Sequence, residues 1–268
     1  MTAPAFGEPV AAGGLAPSFA AVRARLGLVA LLFATAAVAW WSTLNRMRGM
    51  EAGPGTDLGT FGWFVGAWVV MMAAMMLPSI APTAALYSRM TRSRSPVAPL
   101  VFAGGYLLTW TAAGVVAFAF SDLGGRAAHD ALAWDRGGRW FAGVVLAITA
   151  VYEVMPFKDV CLGKCRSPLG FLLGSWREGI SGALQMGAKH GAWCVGCCWA
   201  LMAALFALGV MSIAWMALIA GLIALEKLIP SRRLATYGTA ALLLVLGVLL
   251  VVAPDLIPGF TVPGSGTV

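Results

Sequence analysis

The sequence predicts an all-α protein, a polytopic transmembrane helical bundle of about seven spans. Of its 268 residues, 60% are hydrophobic and 11% are charged, whereas an ordinary soluble domain has about 45–50% and about 25%. The apolar runs are continuous and lack the alternation of strands, and lipid offers no partner for the backbone groups of an open sheet edge. These observations indicate a helical membrane protein that lies in the lipid bilayer, its main interaction partner.

Seven apolar runs bounded by Pro, Gly or charged residues define the predicted helices, at residues 26–41, 61–86, 97–120, 140–156, 192–211, 213–225 and 234–253. They form one transmembrane domain over residues 23–257, which leaves no room for a separate soluble domain. Residues 1–22 are rich in Ala, Gly and Pro. This segment and residues 258–268 are predicted to be disordered tails.

The distribution of Lys and Arg predicts the orientation. With the N-terminus in the cytoplasm, thirteen of the 18 basic residues fall in inner segments and five in outer segments. Cytoplasmic loops of membrane proteins carry such an excess, so the N-terminus is predicted to be cytoplasmic and the C-terminus to lie outside. The same bias accounts for the net charge of +7 without a nucleic-acid partner.

The five cysteines are confined to one part of the chain. Cys161 and Cys165 lie in the predicted inner loop, where the reducing cytoplasm disfavours a structural disulfide. The fifth predicted helix carries further sulfur and imidazole groups within an arc of about 120°, namely Met186, His190, Cys194, Cys197 and Cys198. A helix face of this composition predicts a metal site near the cytoplasmic membrane face.

The second predicted helix adds thioethers at four-residue spacing, from Met71, Met72, Met75 and Met76, before a kink at Pro78 and Pro82. Alone, these methionines favour core packing; beside the cysteines they are candidate ligands. Soft sulfur ligands select Cu(I), with zinc as the second choice. Glu153 is a candidate acceptor or proton carrier beside the metal, and Glu226 and Lys227 are predicted to form an interface anchor pair.

Three motifs carry a resemblance to a known family: WVVMMAAMMLPS, KDVCLGKCRSPLGFLL and GALQMGAKHGAWCVGCCWALM, with LEKLIP downstream. Over about residues 68–230 the chain resembles the DUF2182 family of predicted metal-binding integral membrane proteins. The resemblance implies a bacterial inner-membrane protein, sometimes described as a copper chaperone. It points at Met71, Met72, Met75, Met76, Cys161, Cys165, His190, Cys194, Cys197 and Cys198.

Three functions are compatible with these patterns. The favoured one is a binding function rather than an enzyme: Cu(I) is passed or inserted at the inner face, with a metal donor or acceptor protein as partner. Residues 166–189 are then expected to fold back as a short interfacial helix broken at Gly174, Gly179 and Gly182, so that Cys161 and Cys165 deliver metal to the helix site.

The second is a membrane thiol-disulfide oxidoreductase that uses the CxxC pair Cys194 and Cys197 together with Cys161 and Cys165. The third is an accessory subunit or a transporter. The scarcity of intramembrane charge disfavours proton-coupled transport.

Overall fold

A computed structural model describes residues 15–46, 59–91, 95–128, 137–209, 212–229 and 231–253. Within these ranges the chain forms nine helices and no strand, so the predicted all-α class is confirmed. The helices are α1 (Leu15–Arg46), α2 (Phe61–Thr91), α3 (Ala98–Ala128), α4 (Arg139–Glu153), α5 (Pro156–Arg166), α6 (Pro168–Ser175), α7 (Gly179–Leu208), α8 (Ile213–Leu228) and α9 (Arg232–Val252).

Five segments are long and apolar enough to cross a membrane: Leu26–Arg46, Phe61–Thr91, Ala98–Gly124, Gly179–Leu208 and Arg233–Val252. The fourth predicted span corresponds to α4, which is bent by 68° from α5; counted as one span, this pair raises the number to six. The sixth predicted span is α8, which has 16 residues. The count of seven and the orientation therefore stay predictions.

The predicted tails fall mostly outside the described residues. Residues 1–14 and 254–268 are not among those that the structure describes. Helix α1 begins at Leu15, within the segment 1–22 that was predicted to be a tail. The division into tails and one transmembrane domain stays a prediction.

The prediction of a loop between the fourth and fifth spans is wrong, because this segment is largely helical. Helix α5 has Pro156 in its first turn, where the missing N–H costs no hydrogen bond. Its buried face consists of Lys158, Cys161, Leu162 and Cys165, whose spacings of three and four residues define one side of a helix. Polar residues on the other side conceal this face in a hydropathy average.

The rest of the predicted loop divides between α6 and α7. Of the three expected breaks, only Gly179 marks a boundary: it begins α7 with φ 78°, a conformation that glycine adopts without strain. Gly174 lies within α6 and Gly182 within α7. Helix α7 therefore begins well before residue 192 and carries the whole stretch from Met186 to Cys198 on one rigid element.

Helix α7 lies at the centre of the bundle, in contact with α3, α4, α5, α6 and α8, while α1 packs on α2 and α9 on α4. Glycines allow α3 and α7 to approach closely. A β-carbon at Gly105 would collide with the carbonyl oxygen of Leu184, and one at Gly187 with that of Phe102. At Gly191 it would lie 2.9 Å from Cβ of Thr109. Small residues at four-residue spacing are typical of such helix contacts in membranes.

Candidate metal centre

Three thiols converge where α5 meets α7. The Sγ atoms of Cys165, Cys194 and Cys197 all lie within 4.8 Å of one another, and those of Cys165 and Cys197 are 3.8 Å apart. All five cysteines are buried and free of disulfide bonds. A cluster of three buried thiols offers three soft ligands to one ion.

The approach of α5 to α7 depends on Gly196. A β-carbon at this position would lie 2.9 Å from Sγ of Cys161. The hydroxyl of Tyr152, on α4, donates a hydrogen bond to the carbonyl oxygen of Gly196. Cys161 therefore packs against the bare backbone of α7, and Cys165, one turn further along α5, reaches the two thiols of α7.

Helices α3 and α8 supply the groups around Cys194. The Tyr106 hydroxyl oxygen lies 3.0 Å from Sγ of Cys194, and the Lys227 ammonium donates to the same sulfur at 3.2 Å. Lys227 also donates to the hydroxyl of Ser79 on α2, at 3.0 Å. In a medium of low dielectric constant, an ammonium at this distance stabilises negative charge on the sulfur.

The predicted pairing of Glu226 with Lys227 as an interface anchor is wrong, because the two side chains have different partners. Lys227 contacts Cys194, whereas a carboxylate oxygen of Glu226 lies 2.8 Å from the ammonium of Lys158 on α5. Consecutive residues of a helix point about 100° apart. Lys227 therefore faces the thiols of α7, and Glu226 faces the lysine of α5.

Glu153 also pairs with Lys158. Lys158 is fully buried and forms ion pairs with both Glu153 and Glu226, which we call the charge triad. One carboxylate oxygen of Glu153 is buried without a hydrogen-bond partner. Glu153 was predicted to be an acceptor or a proton carrier beside the metal; the structure shows it paired with Lys158, which begins the buried face of α5.

His190 is not brought into the three-thiol group, although it lies one turn before Cys194 on α7. Its ring is buried among aromatic side chains, with ring centroids 4.6 Å from Phe171, 5.9 Å from Phe102 and 6.0 Å from Tyr106. Its Nδ1 atom has no hydrogen-bond partner. Ligation by His190 stays a prediction that this geometry does not support.

Met186 is also apart from the thiols. Its sulfur accepts a hydrogen bond from the backbone N–H of Arg177 at 3.3 Å. It packs in a smaller core cluster that contains Tyr87, Phe102 and Phe171. The thioether is thus engaged in closing the turn between α6 and α7.

The remaining predicted ligands are buried in the same large core cluster as the three thiols, namely Met71, Met72, Met75, Met76, Cys161 and Cys198. The thiols of Cys198 and Cys197 donate to the carbonyl oxygen of Cys194, at 2.9 and 3.1 Å. The methionines occupy core positions on α2. Metal ligation by any of these six residues stays a prediction.

Lys227 and Tyr106 are the site residues that sequence reasoning missed. The one signal for Lys227 was its position two residues after the apolar run 213–225, since a charge in such a position is costly without a partner. Tyr106 gave no signal, because a tyrosine within an apolar helix is common at membrane interfaces.

Comparison with known proteins agrees with a soft-metal site. No curated protein and no solved structure matches the chain. A family model described as PpoB2, copper chaperone, matches residues 65–250. The match extends from α2 into α9 and includes all five cysteines. The copper-chaperone relationship implied by the sequence motifs is thereby confirmed: the chain belongs to the PpoB2 family of copper chaperones.

Proposed function

We propose that this protein is an integral protein of the bacterial inner membrane that holds Cu(I) on Cys165, Cys194 and Cys197. It exchanges the ion with a donor or acceptor protein near the cytoplasmic membrane face. The observation that carries the proposal is the group of three buried thiols within 4.8 Å of one another, in a chain of a copper chaperone family. Cu(I) favours soft thiolate ligands.

The composition of the group favours copper over zinc. Structural zinc sites are almost always four-coordinate, and the group contains three ligands, without a carboxylate or an imidazole. Cu(I) with three thiolates carries a net charge of −2, which the Lys227 ammonium beside Cys194 partly compensates. Zinc is therefore the second choice.

Metal analysis of the detergent-purified protein tests the proposed function. The protein is incubated with equal amounts of Cu(I) and Zn(II) under reducing conditions and freed of unbound metal. We expect about one copper per chain and little zinc, because softness of the ligands decides the selection. A preparation that retains zinc instead, or neither metal, would contradict the proposal.

Replacement of Lys227 by methionine is expected to weaken copper binding by about tenfold or more, because a charge-assisted contact to a ligand sulfur contributes about 1.5–3 kcal/mol. Competition with a Cu(I) chelator measures the change in affinity. The matched control is Lys189→Met, which removes an exposed lysine of α7. Equal affinities in the two variants would show that Lys227 has no part in binding.

One observation favours the oxidoreductase as a second candidate. The 3.8 Å separation of the Cys165 and Cys197 sulfurs brings a thiol of the α5 pair to the CxxC pair of α7, and a disulfide requires about 2.05 Å. Thiol counting separates the two functions. In the absence of copper, an oxidoreductase would form this disulfide on exchange with a substrate disulfide, which is reduced to a dithiol, whereas a copper carrier would keep five reduced cysteines.

A further inference from the structure

The three thiols are closed off from the surroundings of the protein. Cys194 has 0% of its surface exposed, Cys197 2% and Cys165 9%. Cys194 and Cys197 lie within the 30-residue helix α7, which is held by neighbours on several sides. Cys165 lies in the last turn of α5, a helix of 11 residues. An ion can reach the sulfurs only if an element moves, and α5 is the short element that carries a ligand.

Both ends of α5 are suited to rotation. At its start the chain bends by 68° between α4 and α5, and Pro156 follows the two non-helical residues Val154 and Met155. At its end Ser167 leaves the helical conformation, with φ −114° and ψ 77°, directly before Pro168. Such residues at element termini absorb the backbone changes of hinge motions.

The charge triad ties α5 to its surroundings. Lys158, in the first turn of α5, is bound to Glu153 of α4 and to Glu226 of α8, and its side chain is fully buried. Since Glu153 precedes α5 directly in the chain, the charge-assisted contact between Lys158 and Glu226 is the member of the triad that ties α5 to a distant helix. At the other end of α5, the Arg166 guanidinium donates to the carbonyl oxygen of Ile229.

We infer that α5 is a lid over the metal centre and that Glu153, Lys158 and Glu226 are positioning residues that hold it closed. Outward rotation of α5 withdraws Cys165 from Cys194 and Cys197, so that a bound ion passes from three sulfur ligands to two and becomes accessible to a partner. The role of the lid in metal exchange rests on the proposed function. The motion itself does not, because it can be measured without metal.

The first experiment follows the lid in the metal-free full-length protein in detergent. Glu226→Gln preserves the shape of the side chain and removes one charge of the triad. We expect it to increase the rate at which iodoacetamide modifies Cys165 by about tenfold or more, and to accelerate modification of Cys194 and Cys197 as α5 uncovers them. The rate at Cys198, which lies outside the three-thiol group, should stay unchanged. All four rates are followed by mass spectrometry. Lys164→Gln, on the exposed side of α5, is the matched control and should leave all four rates unchanged.

Two results would overturn the inference. Equal acceleration at Cys165 and Cys198 would indicate general loosening of the bundle, and no acceleration at Cys165 would show that the triad does not hold α5. Where Glu226→Gln does not fold, Glu153→Gln replaces it, because this variant keeps the contact between Lys158 and Glu226. The same pattern with a smaller increase is then expected. Lys158→Arg as a single substitution keeps the positive charge of the triad and should give rates close to those of the wild type.

The second experiment uses protein loaded with Cu(I) and measures the rate of copper transfer to a soluble chelator. We expect Glu226→Gln to accelerate transfer by about tenfold, because a neutral contact replaces the charge-assisted one that ties α5 to α8, while the amount of copper bound at saturation stays the same. Unchanged transfer beside accelerated modification of Cys165 would overturn the role of the lid in exchange. If the wild type binds no copper, the proposed function fails, and the modification rates still decide whether α5 is a lid.

Discussion

Serine in place of Cys165, Cys194 or Cys197 is expected to remove about nine-tenths or more of the bound copper from the purified protein. Each substitution exchanges a soft thiolate for a hydroxyl that Cu(I) binds poorly, and the two remaining sulfurs lose a partner within 4.8 Å. Since the three residues act as one site, a double variant should be hardly worse than either single variant. Copper per chain is measured after removal of unbound metal.

The controls for this series are thiols of the same burial outside the group. Cys161 packs against Gly196 and Cys198 donates to the carbonyl oxygen of Cys194, so Cys161→Ser and Cys198→Ser should retain most of the copper. His190→Ala should do so as well. Small and equal losses in all six variants would contradict a single three-thiol site.

The second large effect concerns the packing that positions α7. Gly105→Ala should lower the thermal unfolding midpoint substantially, because the new methyl group would collide with the backbone carbonyl of Leu184 on α7. Overpacking at a tight contact costs about 1–3 kcal/mol, and a backbone atom cannot move aside as a flexible side chain can. Thermal unfolding in detergent, followed by circular dichroism, measures the change.

Gly104 provides a matched control one residue away on the same helix. A β-carbon there would have no neighbour within 4 Å, and alanine is a better helix former than glycine by about 1 kcal/mol. Gly104→Ala should therefore leave the midpoint unchanged or raise it slightly. A similar loss in both variants would mean that the close approach of α3 and α7 does not determine stability.

The architecture could be predicted where one long apolar run forms one helix. Helices α2, α3 and α9 follow from composition alone, since continuous hydrophobicity leaves few alternatives in lipid. Helix α5 was missed because Lys158, Lys164 and Arg166 lower its average hydropathy. The burial of Lys158 depends on carboxylates of α4 and α8, and their arrangement around it is set by tertiary packing.

The site could be predicted only where its residues lie on one helix. Cys194 and Cys197 lie on one face of one helix, which spacing alone reveals. The choice of Cys165 over Cys161 depends on how α5 docks on Gly196, and this docking has no local signature. His190 shares the predicted helix face but meets aromatic rings of other elements, and helical periodicity alone does not reveal these contacts.

The central claim is that one Cu(I) ion is held by three cysteine sulfurs at the contact of α5 and α7. X-ray absorption at the copper K edge of protein loaded with about one equivalent of Cu(I) tests it most directly. The arrangement of Cys165, Cys194 and Cys197 predicts a Cu(I) edge and a first shell of three sulfur atoms without nitrogen or oxygen. A first shell that contains nitrogen, or that loses no sulfur in Cys165→Ser, would contradict it.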